Sequence, residues 1–255
     1  MSKHRPAPVD TRRAQLRAAQ IAEANRQKNK RIAIIAVSVA VVIALIVVIV
    51  LVVNRTNAAR VEASPPDANS DLSGIVVHPG AAQPDAPLVS MFLDYQCPAC
   101  ANFERTYGAT LDQLATDGEI QLEYRTMTFL DANLGNDSSA RAANAAACAD
   151  LTGRYSEYHN TIFANQPSNE GTGYTDAQLT GAFATQAGIT GAELEEFTTC
   201  YDQRRFSGFV NSVDREAGRS GVTGTPTLRV NGTDLDLSAL TGDPASLRTE
   251  ILKLA

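Results

Sequence analysis

Two cysteines separated by two residues stand out in Asp94-Tyr95-Gln96-Cys97-Pro98-Ala99-Cys100. A pair at this spacing can close a short disulfide and open it again, and the reactive species in such exchange is the thiolate. Redox chemistry of this kind needs a position that favours the ionised sulfur, and the flanking residues supply one. Pro87-Leu88-Val89-Ser90-Met91-Phe92-Leu93 reads as a buried strand, mostly apolar and bounded by Pro. After the cysteines, Phe103, Tyr107, Leu111 and Leu114 recur at helical spacing. Cys97 is therefore expected at a helix N-terminus, beside unsatisfied backbone N–H groups and the positive end of the dipole. Both lower a thiol pKa from its free value of about 8.5. Pro98 suits the first helical position, where its missing N–H has no partner to lose, and Cys100 follows one turn on.

Around this motif the chain has 255 residues, room for one domain of good size with appendages, and no Trp. Net charge is −6, unevenly placed: residues 1–31 hold nine Lys/Arg against Asp10 and Glu23, a net of +7, so the rest carries −13. The basic part is short and detached, which argues against nucleic acid as a partner. Residues 32–53 contain only Ala, Val, Ile, Leu and Ser38. A run of that length spans a hydrocarbon core of about 30 Å and exceeds a signal-peptide h-region of about 7–15 residues. It reads as a single transmembrane anchor. Arg26, Lys28, Lys30 and Arg31 crowd its N-terminal flank, with only Arg55 and Arg60 near the other, so the N-terminus is expected in the cytoplasm and the bulk of the chain outside the cell membrane. Residues 1–31 read as a cytoplasmic basic tail, a topology determinant rather than a lipid-binding element, and residues 54–73 as a linker.

Residues 74–136 open the exported domain. Gly74-Ile75-Val76-Val77 is a short strand, and Ile120, Leu122 and Tyr124 alternate with Gln121, Glu123 and Arg125 in a strand running on through Met127 and Phe129. Strand, helix and strand in this order make a βαβ unit with a parallel pair. Residues 137–219 read as helical throughout, with Thr175-Asp176 capping one helix and Thr190-Gly191-Ala192-Glu193 resembling a capping box for the next. In residues 220–255, Asn231-Gly232 is a two-residue hairpin turn between two strands, and Asp243-Pro244 start a last helix. The fold class is α/β, split by an all-helical insertion.

Cys97-Pro98-Ala99-Cys100 after a strand, then a helical insertion, then Gly224-Thr225-Pro226-Thr227 before a hairpin strand resembles the DsbA-like thiol–disulfide oxidoreductases of the thioredoxin superfamily, most closely the membrane-anchored actinobacterial forms. The segments 142–148 and Asn165-Gln166-Pro167 are also family-like. The resemblance covers roughly residues 74–255. It implies a thioredoxin-like fold with an inserted helical domain, an exposed nucleophile at Cys97, a buried partner at Cys100, and a cis Thr225–Pro226 bond facing them. The Thr225 backbone would then pair with an extended client. Two departures stand out. Met91 occupies the position where many members carry a buried acid, so that Asp94 is the nearest acid and either helps move the Cys100 proton or sits exposed at the strand end, and Ala99 stands where the best-known member has His.

With Cys97 and Cys100 as the redox pair, Cys148 and Cys200 remain. Their pairing is one of three possible connectivities, read as a structural disulfide in preference to an electron relay. His78 and His159 are too scattered for a metal site, and His159 reads as a packed core residue. The resemblance implies a dithiol oxidase that needs no cofactor or metal. Its partners would be reduced exported proteins and a quinone-linked membrane reoxidant of the DsbB or VKOR type, with lipid around the anchor. A reductase or isomerase on the same fold and a non-enzymatic metal-binding module are the rivals.

Overall fold

A computed structural model describes residues 41–49 and 63–255. The chain divides into two units, Met1–Thr56 and Asn57–Ala255. In the first, residues 41–49 are helical and exposed. The remainder of the expected anchor 32–53, the basic tail 1–31 and the start of the linker 54–73 lie outside the described residues. Among the described residues no helix is long and apolar enough to cross a membrane.

The second unit holds a five-stranded sheet in the order β1-β3-β2-β4-β5, with β1 Ile75–Val76, β2 Leu88–Leu93, β3 Gln121–Thr126, β4 Thr227–Val230 and β5 Thr233–Asp234. β2 and β3 run parallel, Leu88 opposite Gln121 through Leu93 opposite Thr126. The crossover between them is helix α1, made of Pro98–Phe103, the π-helical stretch Glu104–Gly108 and Ala109–Thr116. β4 lies antiparallel on the other side of β2, Val89 opposite Val230 and Phe92 opposite Thr227. β2 is thus central, with five of its six residues buried, as its continuous apolar run requires. Asn231 and Gly232 both have positive φ, the backbone of the tight hairpin turn between β4 and β5.

The helical segments are α2 Phe129–Leu134, α3 Ser138–Ala149, α4 Tyr155–Ala164, α5 (π-helical Gln178–Phe183 continuing through Ala184–Gln186), α6 Ala192–Asp202, α7 Ser207–Arg219 and α8 Pro244–Leu254. α3 is buried along most of its length, because its alanines let neighbours approach closely. A disulfide joins its Cys148 to Cys200 of α6, with an S–S distance of 2.03 Å.

Two local expectations differ from the structure. The strand expected through Phe129 ends at Thr126. Its partner β2 runs out at Leu93, the last bond being Met127 N to Leu93 O at 2.7 Å, and the next free amides turn to the carboxylates of Asp214 and Asp94. The capping box forms at Thr175 and Gln178, which exchange backbone-to-side-chain bonds of 2.8 and 3.2 Å, instead of at Thr190–Glu193. Gly191, with φ +58°, leads into α6 without a side-chain cap, leaving Thr190 outside the helix.

Candidate active site

The junction of β2 and α1 places the two cysteines. Cys97 is the residue before Pro98, with extended backbone, and it anchors the turn by donating its N–H to Asp94 O at 3.0 Å. Its own carbonyl accepts the first α1 bond, from Ala101 N at 3.2 Å. The Thr225–Pro226 bond is cis, and the Thr225 carbonyl lies 3.4 Å from the Cys97 sulfur, which donates to it as a thiol. Both cysteines are free thiols, and Cys100 is fully buried. Cys97, expected to be exposed, is only 7 % exposed. The Thr225–Pro226 loop covers one side of it, and its opening to solvent lies beside the exposed Pro98 and Ala99.

This placement pulls the two thiols apart electrostatically. Cys97 is lowered to about 6, chiefly by the hydrogen bond from the Cys100 thiol; burial opposes this, while Thr225 and the amides of Cys100 and Ala99 add to it. Those amides are the free N–H groups of the first turn. Cys100 moves the other way, pushed far up by burial and by sharing its proton with Cys97. The reduced pair therefore holds one proton at neutral pH, on the inner sulfur.

Asp94 is fully buried, which corrects the reading of it as exposed at the strand end. Its carboxylate accepts from Ser139 Oγ at 2.6 Å, Gln96 N at 2.9 Å and Leu130 N at 3.3 Å. Burial raises it to about 7 against those bonds, with Asp131 adding to the rise.

Two further residues hold the loop, and both come from the helical block. Gln166 Nε2 donates to Tyr95 O at 2.9 Å and Cys97 O at 3.0 Å, and Tyr174 OH donates to Tyr95 O at 2.7 Å. Gln166 stood in a family-like segment without a role, and Tyr174 carried no signal in the sequence. The one available hint was a side-chain amide placed where a helix stops. Met91 is fully buried in β2. His159 is buried, stacked on Tyr124 at 4.1 Å between ring centroids, with Nδ1 3.0 Å from Tyr95 OH. His78 pairs with Asp112 at 2.8 Å. Among the described residues no three of His, Cys, Asp or Glu converge as a metal site would need.

A family model described as thioredoxin matches residues 79–242, more than half of the chain. No curated protein matches it. Similar solved structures include the following three. The reduced disulfide bond oxidoreductase DsbG of Mycobacterium tuberculosis is 28% identical over 73% of this chain and 89% of its own, with a TM-score of 0.57. DsbA of the same organism is 27% identical over 71% and 92%, also with a TM-score of 0.57. MdbA of Actinomyces oris, a thiol-disulfide oxidoreductase, is 24% identical over 76% and 95%, with a TM-score of 0.63, a likeness of fold.

Proposed function

The chain belongs to the thioredoxin family and is a protein disulfide oxidoreductase of the DsbA type, and from that premise we propose that it is an extracytoplasmic dithiol oxidase. A client thiolate attacks Cys97 of the Cys97–Cys100 disulfide and a mixed disulfide forms there. Cys100 leaves and takes up a proton. A second client thiolate then displaces Cys97, and the enzyme departs as thiolate and thiol while the client gains a disulfide. The observation that carries this reading is the unequal stabilisation of the two sulfurs. Cys97 sits at about 6 at the mouth of α1, so it is a good leaving group, and a disulfide that breaks to a stabilised thiolate is oxidising. The Thr225 carbonyl beside the sulfur supports pairing with an extended client backbone.

The apolar run 32–53 and its Lys/Arg asymmetry support a single membrane anchor with the N-terminus inside and the catalytic domain outside. Clients would be reduced exported proteins, and the reoxidant a quinone-linked membrane protein of the DsbB or VKOR type. Oxidative refolding of a reduced multi-disulfide protein tests the activity. The wild type restores native pairing, Cys97→Ser is inert, and Cys100→Ser accumulates covalent adducts with clients. Trapping the resting state in cells with an alkylating reagent tests the direction: a mostly reduced Cys97–Cys100 pair would overturn the oxidase in favour of a reductase or isomerase. Protease added to intact cells should digest the domain if it lies outside the membrane.

A further inference from the structure

Beneath the redox pair lies a buried acid that the reaction as described does not use. Glu104 stands seven residues after Cys97, where α1 widens into the π-helical stretch Glu104–Gly108, and its amide donates to the Cys100 carbonyl. Such π-turns recur at functional sites. The Glu104 side chain is 5 % exposed, yet neither carboxylate oxygen has a hydrogen-bond partner. Gly108 makes the room for it, since a Cβ there would collide with Glu104 Oε2. A buried polar group left without partners is costly and calls for a cause.

Its neighbours narrow that cause. His159 Nε2 lies 3.6 Å away and is itself buried without a hydrogen bond, while Nδ1 meets the Tyr95 hydroxyl. Among the described residues His159 is the one basic group within 4 Å of the carboxylate. The other titratable groups facing the pair are Tyr95, Tyr124 of β3 and Tyr155 of α4, all pushed upward chiefly by burial and therefore neutral, with Asp112 and Asp150 beyond them. A bare carboxylate in this setting would carry a heavy desolvation cost. An ion pair of Glu104 with His159 across 3.6 Å carries no net charge.

That neutrality matters seven residues away. At about 1.5 Å per residue, Glu104 lies roughly 10 Å along the helix from Cys97. A full negative charge at that range, in an effective dielectric of about 20, would disfavour the thiolate roughly tenfold. We propose that His159 is a positioning residue for the redox reaction, acting through Glu104: it faces that carboxylate as an ion-pair partner across 3.6 Å and so keeps its charge from opposing the Cys97 thiolate. The proposal rests on Cys97–Cys100 being the redox pair and not on the direction in which the pair works.

The test is the redox equilibrium of the purified full-length protein with glutathione, at pH 7 and pH 9. Glu104→Gln should stay within about twofold of wild type at both pH values, because a neutral amide replaces a neutral pair. His159→Gln should be about tenfold less oxidising at pH 9, ~30 mV for a two-electron couple, since the carboxylate then has no basic partner to offset its charge. The double variant should return to the wild-type value. A tenfold gain in oxidising strength for Glu104→Gln would mean that the wild-type carboxylate is uncompensated, and would overturn the proposal. So would a His159→Gln equal to wild type at pH 9. If His159→Gln does not fold, His159→Asn takes its place with the same expected and overturning results. Should the wild type form no Cys97–Cys100 disulfide with glutathione, the redox reading itself fails, an outcome distinct from the loss of this inference.

Discussion

Acidifying the reduced protein should destabilise it through Cys97, and the size of the effect follows from the site. In the unfolded chain this thiol keeps its proton up to its ordinary 9.0, whereas in the fold it is given up near 6. Between those values the unfolded state binds more protons, so stability rises with pH. The contribution is complete above 9 and disappears as pH falls through 6. At ~1.4 kcal/mol per pH unit, the drop from pH 8 to pH 5 removes about 3 kcal/mol. The Cys97 sulfur opens to solvent on one side, which screens part of this, so about 3 kcal/mol is an upper figure. For a domain of about 200 residues that is roughly 6–12 °C in Tm. Asp94 and Asp150, both raised to about 7, titrate in the same window with the opposite sign, since a raised acid loses stability as pH rises. The measurement is therefore a difference. Tm of the reduced wild type minus Tm of Cys97→Ala, in the same reducing buffer, should shrink by roughly 6–12 °C between pH 8 and pH 5. Thiolate absorbance near 240 nm should titrate with a midpoint near 6 in the wild type alone. A Tm difference that stays constant over this range would refute the assignment of a stabilised thiolate to Cys97.

Other expectations follow from the same geometry. Gln166→Leu removes two donors from the active-site loop and should cost about 1–3 kcal/mol by urea unfolding, with the Cys97 midpoint moving as the loop loosens. Ala99→His places an imidazole at an exposed position beside Cys97. Below pH ~6.5, where it is cationic, the glutathione equilibrium should become about tenfold more oxidising, and the gain should fade by pH 8. Replacing Cys148 and Cys200 together by Ala opens a loop with a sequence separation of 52 residues and should cost about 4 kcal/mol in denaturant unfolding on a chain-entropy basis, with thiol exchange at Cys97 retained. Gly108→Ala should destabilise, because the new methyl meets the Glu104 carboxylate; Gly108→Ala combined with Glu104→Ala should recover most of the loss, as read by Tm.

The chemistry of this protein is local and was therefore legible in the sequence. A strand that stops, two cysteines one turn apart and a proline at the first helical position together specify a sulfur at a helix N-terminus, because backbone geometry over seven residues needs nothing from the rest of the chain. The parallel β2–β3 pair followed from element order, and the Asn231-Gly232 turn from the one backbone shape those residues favour. What the tertiary structure decided is everything that reaches the cysteines from far along the chain. Thr225 arrives from 128 residues away, Gln166 from 69, and Ser139 meets Asp94 across 45. A carboxylate's surroundings are set by which helices pack over it, so Asp94 could be read from sequence as exposed and prove fully buried. Glu104 looked like any polar residue on a helix. It is a buried acid because the π-helical stretch that holds it packs under α4, which brings His159 to 3.6 Å from its carboxylate.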